Sequence, residues 1–401
     1  MTLRLGVSSG AFYPALATED TPDAAARLGF SDLELMLQTP SEYDPGFLSD
    51  VHARANAVGV EIVSHHLFQR LHPLYSGYQR RTDEALDLMR RAFDTAAQLG
   101  VPTLVFHGAA RDEVRGVDAW NQFLIMIGRI GRMAAEYQVM VAVENVSWCV
   151  VSSVRDVQRL AAALPNLAPA GSLGFTFDSF QALEADANAF MLLAAMGPHV
   201  RHIHISDGRR GDGSFRHLLP GQGDLPWSAL IRAIGQTLYR GPLIIEAPLP
   251  DDPGLAATRA LLEPLLAIAN GPANDDPTRL PDGVVEGIRL FNAGEFYECH
   301  EVIEHEWHAE LGDIRRLYQG ILQIGVGLHH ARSGNQRGAV LLLSDGIDKT
   351  SDFLPEALGV DTASLVLGAR ACLDEVERLG PDHIDDFDWT LVPVITIKQP
   401  D

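Results

Sequence analysis

Eight short apolar runs, spaced through the first two thirds of the chain and separated by segments of helical periodicity, constrain the fold more than any other feature. They are Leu3–Ser9, Asp32–Leu37, Val60–His65, Pro102–His107, Val139–Asn145, Leu173–Asp178, Val200–Asp207 and Pro242–Ala247. The segment Thr82–Leu99 is representative of what lies between: Ala85, Leu88, Met89, Ala92, Phe93, Ala96 and Leu99 recur every three or four residues, marking one face of a helix. Strands joined through helices form right-handed parallel units. Eight such units within residues 1–270 are the count of a closed (β/α)8 barrel of the α/β class. An open, doubly wound sheet is the rival, but Gly6-Val7-Ser8-Ser9-Gly10 after the first strand lacks the G-x-G-x-x-G spacing that such a sheet uses to hold a dinucleotide.

In a parallel barrel only the loops beyond the C-terminal strand ends can surround a substrate. Here those ends carry metal-ligand side chains: His65 and His66 on the third strand, His107 on the fourth, Glu144 on the fifth, Asp178 on the sixth, His204 on the seventh and Glu246 on the eighth. Any one of them alone reads as a rim histidine, a helix cap or a solvated charge. Together, Glu144, Asp178, His204 and Glu246 place three carboxylates and an imidazole at one end of four neighbouring strands, where unneutralised anions repel. A divalent cation resolves that repulsion, and oxygen and nitrogen donors without thiolate suit Mn²⁺, Mg²⁺, Co²⁺ or Zn²⁺. Alternation turns His202 the same way as His204, one step deeper.

At these residues the chain resembles the xylose isomerase-like barrel superfamily, which includes sugar isomerases, ketose 3-epimerases and endonuclease IV-type nucleases. The resemblance runs from Leu3 to Ala269 and rests on Val141-Ala142-Val143-Glu144-Asn145, Phe175-Thr176-Phe177-Asp178, His202-Ile203-His204-Ile205-Ser206-Asp207, Pro220-Gly221-Gln222-Gly223-Asp224-Leu225-Pro226-Trp227 and Ile244-Ile245-Glu246. It implies that Glu144, Asp178, His204 and Glu246 bind the metal. The nuclease branch has a histidine three residues after the sixth-strand aspartate and an aspartate two residues before a further histidine in the seventh loop. Gln181 and Phe215 stand there instead, although His65 or His66, His107 and His217 could supply part of such a cluster.

The four-ligand arrangement favours proton transfer next to a carbonyl, with the ion stabilising an enediolate and the catalytic carboxylates Glu144 and Glu246 moving protons from opposite sides. Isomerisation or epimerisation of a sugar, sugar acid or polyol-derived ketone is the expected reaction. His65, His66, His107 and His217 are candidate contacts for substrate hydroxyls or phosphate, and Trp148 for a sugar ring. The Gly-rich stretch before Trp227 has no phosphate-loop spacing and reads as a tight loop with Asp224 capping the helix that follows. The rival enzyme is a metal-dependent phosphoesterase of the endonuclease IV type. A carbohydrate-binding or scaffold protein without catalysis is the third reading.

Composition narrows the partners. Lys+Arg 31 against Asp+Glu 53 leaves a net charge of −22, which disfavours a nucleic-acid backbone. Lysine occurs only at positions 349 and 398, so no Schiff-base lysine serves the barrel. Cys149, Cys299 and Cys372 form no paired pattern, the N-terminus shows no secretory signal, and no apolar stretch reaches membrane-spanning length. A cytoplasmic protein acting on a small molecule is expected.

Gly271-Pro272-Ala273-Asn274-Asp275-Asp276-Pro277 and Pro281-Asp282-Gly283 read as a boundary, with a linker over 271–282. Residues 283–380 then read as a helical bundle, with helices expected at Val284–Asn292, Glu295–Leu311, Arg315–Arg332, Gln336–Phe353 and Thr362–Leu379. The run Phe291 to Trp307, with Gln319-Gly320-x-x-Gln323 and His329-His330, resembles a bacterial helical family known as domain of unknown function 309. His300 and Glu304, like Glu301 and His305, are one helical turn apart, so His300, Glu301, Glu304 and His330 are a second candidate site. Polar packing within the bundle is the alternative. The apolar tail within 381–401 is expected to dock on the barrel, the bundle or a second subunit of a homo-oligomer.

Overall fold

The computed structural model describes residues 2–67, 74–114, 116, 118–210, 216–249, 252–270, 280–310 and 313–398. Phe215, Gly312 and residues 271–279 of the expected linker lie outside them. The chain divides into two compact units, Met1–Asn270 and Gly271–Asp401.

In the first unit β1 (Arg4–Ser8), β2 (Asp32–Met36), β3 (Glu61–His66), β4 (Thr103–Phe106), β5 (Met140–Glu144), β6 (Leu173–Asp178), β7 (Val200–Ile205) and β8 (Pro242–Ile245) close into a barrel in sequence order. All pairings are parallel, and β1 meets both β2 and β8. The strands are short and buried on both faces because helices cover the outside. These are α1 (Thr21–Arg27), α2 (Pro45–Ala57), α3 (Gln79–Leu99), α4 (Ala119–Glu136), α5 (Val154–Leu167), α6 (Ser179–Glu184), α7 (Ala189–Met196), α8 (Trp227–Gln236) and α9 (Asp252–Asn270). The apolar stripe read from Thr82–Leu99 is the buried face of α3, including Ala85, Met89, Ala92, Phe93, Ala96 and Leu99.

Two register shifts interrupt the barrel. Leu33 pairs with Ile62 but Glu34 with Ser64, which leaves Val63 as an extra residue in β3. Phe175 pairs with Val200 but Thr176 with His202, which leaves Arg201 extra in β7. Each bulge re-aims the residues that follow it. Ser64 and His66 thereby share a face with Glu34, and His202 and His204 with Thr176 and Asp178.

The second unit is helical: α10 (Asp282–Asn292), α11 (Phe296–Ala309), α12 (Arg315–Arg332), α13 (Gln336–Ser351) and α14 (Thr362–Leu379). Val284, Phe291, Ile303, Leu317, Ile321, Ile324, Leu343, Leu365 and Cys372 are among its core residues. The tail adds Ile384, Phe387 and Ile395 to that core. Asn292 fastens it, donating to Ile395 O and accepting from Ile395 N, both at 2.8 Å. Among the described residues no helix is long and apolar enough to cross a membrane.

Candidate metal centre

Strand alternation and the two bulges send one set of polar side chains into the C-terminal mouth of the barrel. Glu34 comes from β2, His66 from β3, Glu144 from β5, Asp178 from β6 and His204 from β7, while His107 and Glu246 follow β4 and β8 by one residue. His204 stands at the centre: its Nδ1 is 3.3 Å from Glu144 Oε1, 3.3 Å from Glu246 Oε2 and 3.7 Å from Asp178 Oδ2. Glu144, Asp178, His204 and Glu246 each offer a ligand atom within 4.8 Å of the others. Two further groups meet the same limit, His66 with His107 and Glu144, and Glu34 with His66, His204 and Glu246.

The hydrogen bonds around these carboxylates separate engaged oxygens from open ones. Asp178 Oδ1 accepts from Gln181 N at 2.7 Å and so caps α6. Its other oxygen, Oδ2, and Glu144 Oε2 are buried and accept no hydrogen bond from the described residues. A buried carboxylate oxygen in that state costs free energy unless a cation or proton satisfies it. The donor set and the two open oxygens fit a divalent ion.

Electrostatics agree. Burial pushes the Glu144 carboxyl up, but His107 and His204 outweigh it and hold Glu144 well below the usual carboxylate range. Glu246 is likewise raised by burial and brought below its ordinary value by His204 and His66. Asp178 goes the other way: burial and then the charges of Glu144 and Glu246 lift it well above its ordinary value. Burial works against a charged His66, yet Glu34 and Glu246 raise it to about 10. His204 is raised well above its ordinary value despite burial, by Glu246, Glu34 and Glu144. A proton on either imidazole would supply positive charge among the carboxylates, the charge that a divalent ion supplies when it binds.

The other expected contacts divide. His107 Nε2 lies 2.9 Å from His66 Nε2 and 3.3 Å from Glu144 Oε2. Trp148 stands edge-on to His107 with ring centres 5.8 Å apart and is 49% exposed, an open apolar face at the rim. His217 packs on Phe180 at 3.9 Å between ring centres. Burial lowers its pKa, opposed by Glu246 and Glu144. His65 is not brought to the group. It turns out of the barrel, with Nδ1 3.0 Å from Leu35 O and its ring edge-on to Tyr43. In the helical unit, His300, Glu301, Glu304 and His330 form no three-ligand group among the described residues. Glu304 faces His308 at 3.6 Å along α11, and His330 Nδ1 lies 3.0 Å from Asn335, whose carbonyl caps α13.

Two residues at the mouth carry no assigned role in the sequence reading. Glu34 is fully buried and surrounded by His66, His202 and His204. A glutamate inside the apolar run Leu33-Glu34-Leu35-Met36 is the signal that marks it. Asp207 is the other. Its carboxylate accepts from Gly208 N, Gly221 N, Leu225 N and Trp227 Nε1, and its backbone exchanges two bonds with Leu218. Asp224 does not cap α8 as expected; it accepts from Arg210 N at 2.8 Å, and Pro226 occupies the cap position with no side-chain bond.

A family described as xylose isomerase-like TIM barrel matches residues 22–267. The chain belongs to that family. Within this xylose isomerase-like chain, residues 284–342 match the domain of unknown function 309. An uncharacterized protein of Sinorhizobium fredii, y4fM, is 28% identical over 231 residues, 54% of this chain and 68% of that protein. Among solved structures, a D-tagatose 3-epimerase-like protein superposes with a TM-score of 0.56 at 19% identity, covering 67% of this chain and 98% of that one. The IOLI protein with a bound zinc atom gives a TM-score of 0.55 at 14% identity over 67% and 98% of the two chains. Both likenesses are to the barrel fold.

Proposed function

We propose that the barrel is a divalent-metal-dependent isomerase or epimerase of a small sugar, sugar acid or polyol-derived ketone. The observation that carries this reading is the convergence of Glu144, Asp178, His204 and Glu246 within 4.8 Å, with the open oxygens Glu144 Oε2 and Asp178 Oδ2 among them. These four residues hold the ion, which is Mn²⁺, Mg²⁺, Co²⁺ or Zn²⁺ by donor chemistry. When bound, it supplies Lewis-acid charge beside a carbonyl oxygen. Glu144 and Glu246 then take a proton from the carbon next to that carbonyl and return it to the other face or to the neighbouring carbon. Trp148 offers the sugar ring its open indole face, and His107 and His217 reach its hydroxyls. The epimerase-like and zinc-bearing barrels of the same fold support an enzyme acting on small carbohydrates.

The test is proton exchange. The Mn²⁺- or Co²⁺-loaded protein, incubated with a panel of ketoses and aldoses in D₂O, incorporates deuterium at the carbon next to the carbonyl. Glu246→Gln lowers that exchange by a factor of about 10² or more. Full exchange in Glu246→Gln contradicts the assigned role.

A second reading rests on the group His66 Nε2, His107 Nε2 and Glu144 Oε2, which shares Glu144 with the first. Two ions sharing a carboxylate suit hydrolysis of a phosphoester. Turnover of an abasic-site duplex or of bis-p-nitrophenyl phosphate with Zn²⁺, in the absence of deuterium exchange on any sugar, selects this reading over the first.

A further inference from the structure

We infer that Glu34 is a positioning residue that fixes the ring tautomer of His204, and with Glu246 that of His66, and so decides which nitrogen His204 turns to an ion. The inference rests on the metal reading above and extends it to a residue outside the four ligands. Glu34 Oε1 lies 3.2 Å from His66 Nδ1. Its Oε2 accepts from Ser64 Oγ at 3.0 Å and lies 2.8 Å from His202 Nε2 and 3.1 Å from His204 Nε2. Both oxygens are therefore engaged, and the side chain is fully buried. Glu144 Oε2 and Asp178 Oδ2, by contrast, accept no hydrogen bond from the described residues. An ion settles where the oxygens are open, which leaves Glu34 as the acceptor behind the histidines.

Each ring turns one nitrogen to Glu34, and His66 Nδ1 also lies 3.1 Å from Glu246 Oε1. A neutral imidazole has one N–H and one lone pair. If His204 donates Nε2–H to Glu34, its Nδ1 lone pair points at Glu144, Asp178 and Glu246. If His66 donates Nδ1–H to Glu34, its Nε2 lone pair points toward His107 Nε2 at 2.9 Å and Glu144 Oε2 at 3.7 Å. Glu34 thus faces both rings, Oε1 toward His66 beside Glu246 and Oε2 toward His204 beside His202. Carboxylates behind metal-bound histidines act in this way generally, and their loss weakens metal binding about 10- to 100-fold. A glutamine at the position keeps one acceptor oxygen and turns an N–H₂ toward the other ring, so one histidine meets the wrong group.

The test uses the full-length protein and Zn²⁺. Ring ¹⁵N spectra of the zinc-loaded, histidine-labelled wild type are expected to show zinc on Nδ1 of His204 with its Nε2 protonated, and His66 protonated on Nδ1. Competition with a chromophoric chelator is expected to show about 10- to 100-fold weaker zinc binding in Glu34→Gln, with the far-ultraviolet spectrum of the metal-free protein unchanged. Glu34→Asp, which keeps an acceptor-only group, binds zinc more tightly than Glu34→Gln. Zinc on Nε2 of His204 makes Glu34 a ligand and overturns the inference, as does wild-type affinity in Glu34→Gln; both leave the metal reading standing. A wild type that takes up no zinc overturns the metal reading and this inference with it.

Discussion

Asp207 illustrates how much one buried carboxylate organises. Four donors end on it, one of them the indole of Trp227, and its backbone pairs with Leu218 next to His217. A side chain at Gly223 would come within 2.4 Å of its Oδ1, so the glycine of the motif exists to let the loop close over this acceptor. Asp207→Asn replaces an acceptor oxygen with a donor that faces other donors. Urea unfolding is expected to report a loss of about 1–3 kcal/mol, and an unchanged midpoint would show that the loop is held by other means. The sequence motif pointed to Asp224, the acidic residue nearest the helix, because capping is a local pattern. Asp207 acts across 18 residues of chain to Leu225, and no local pattern records that. Glu34 escaped notice for a related reason: strand-end residues draw attention in a barrel, and Glu34 lies within its strand, where the polar contacts come from β3 and β7.

At the level of elements, the eight strands and most helix bounds follow from periodicity, because buried strands and amphipathic helices need those patterns to bury their surface. The convergence of the strand-end side chains Glu144, Asp178, His204 and Glu246 was legible for the same reason. The bulges were not. His65 and His66 are equivalent in sequence, and only the extra residue Val63 turns His66 inward and His65 toward Tyr43. His65→Gln is therefore expected to leave zinc affinity unchanged while lowering stability by about 1 kcal/mol, and His66→Gln to weaken zinc binding. Equal effects of the two on zinc affinity would contradict the assigned register. In the helical unit, the glycines of α12 and α13 mark a close crossing. A Cβ at Gly346 would meet Gly320 O, Ile324 N and Ile324 Cγ1, each at 2.8 Å, so that backbone as well as a side chain is in the way. Gly346→Ala is expected to cost about 1–3 kcal/mol in thermal unfolding; a stabilised variant would show that the helices stand further apart.

For the molecule as a whole, the sequence separated a barrel from a helical region by composition and period. It left the covering of the tail open, because an apolar segment specifies that it must be buried and not where. Ile384, Phe387 and Ile395 join the core of the helical unit. A chain ended after Gly380 exposes that core, and a lower melting temperature with aggregation is expected in light scattering. A shortened chain as soluble and stable as the full one would contradict the packing. The net charge of −22 adds a general repulsion to anionic molecules.

The central claim is one ion gripped by Glu144, Asp178, His204 and Glu246. Anomalous diffraction from crystals of the full chain grown with Mn²⁺ or Zn²⁺, recorded on both sides of the metal edge, tests it most directly. A peak bounded by these four side chains is predicted. A fully loaded ion elsewhere in the molecule, with those four side chains holding none, would contradict it.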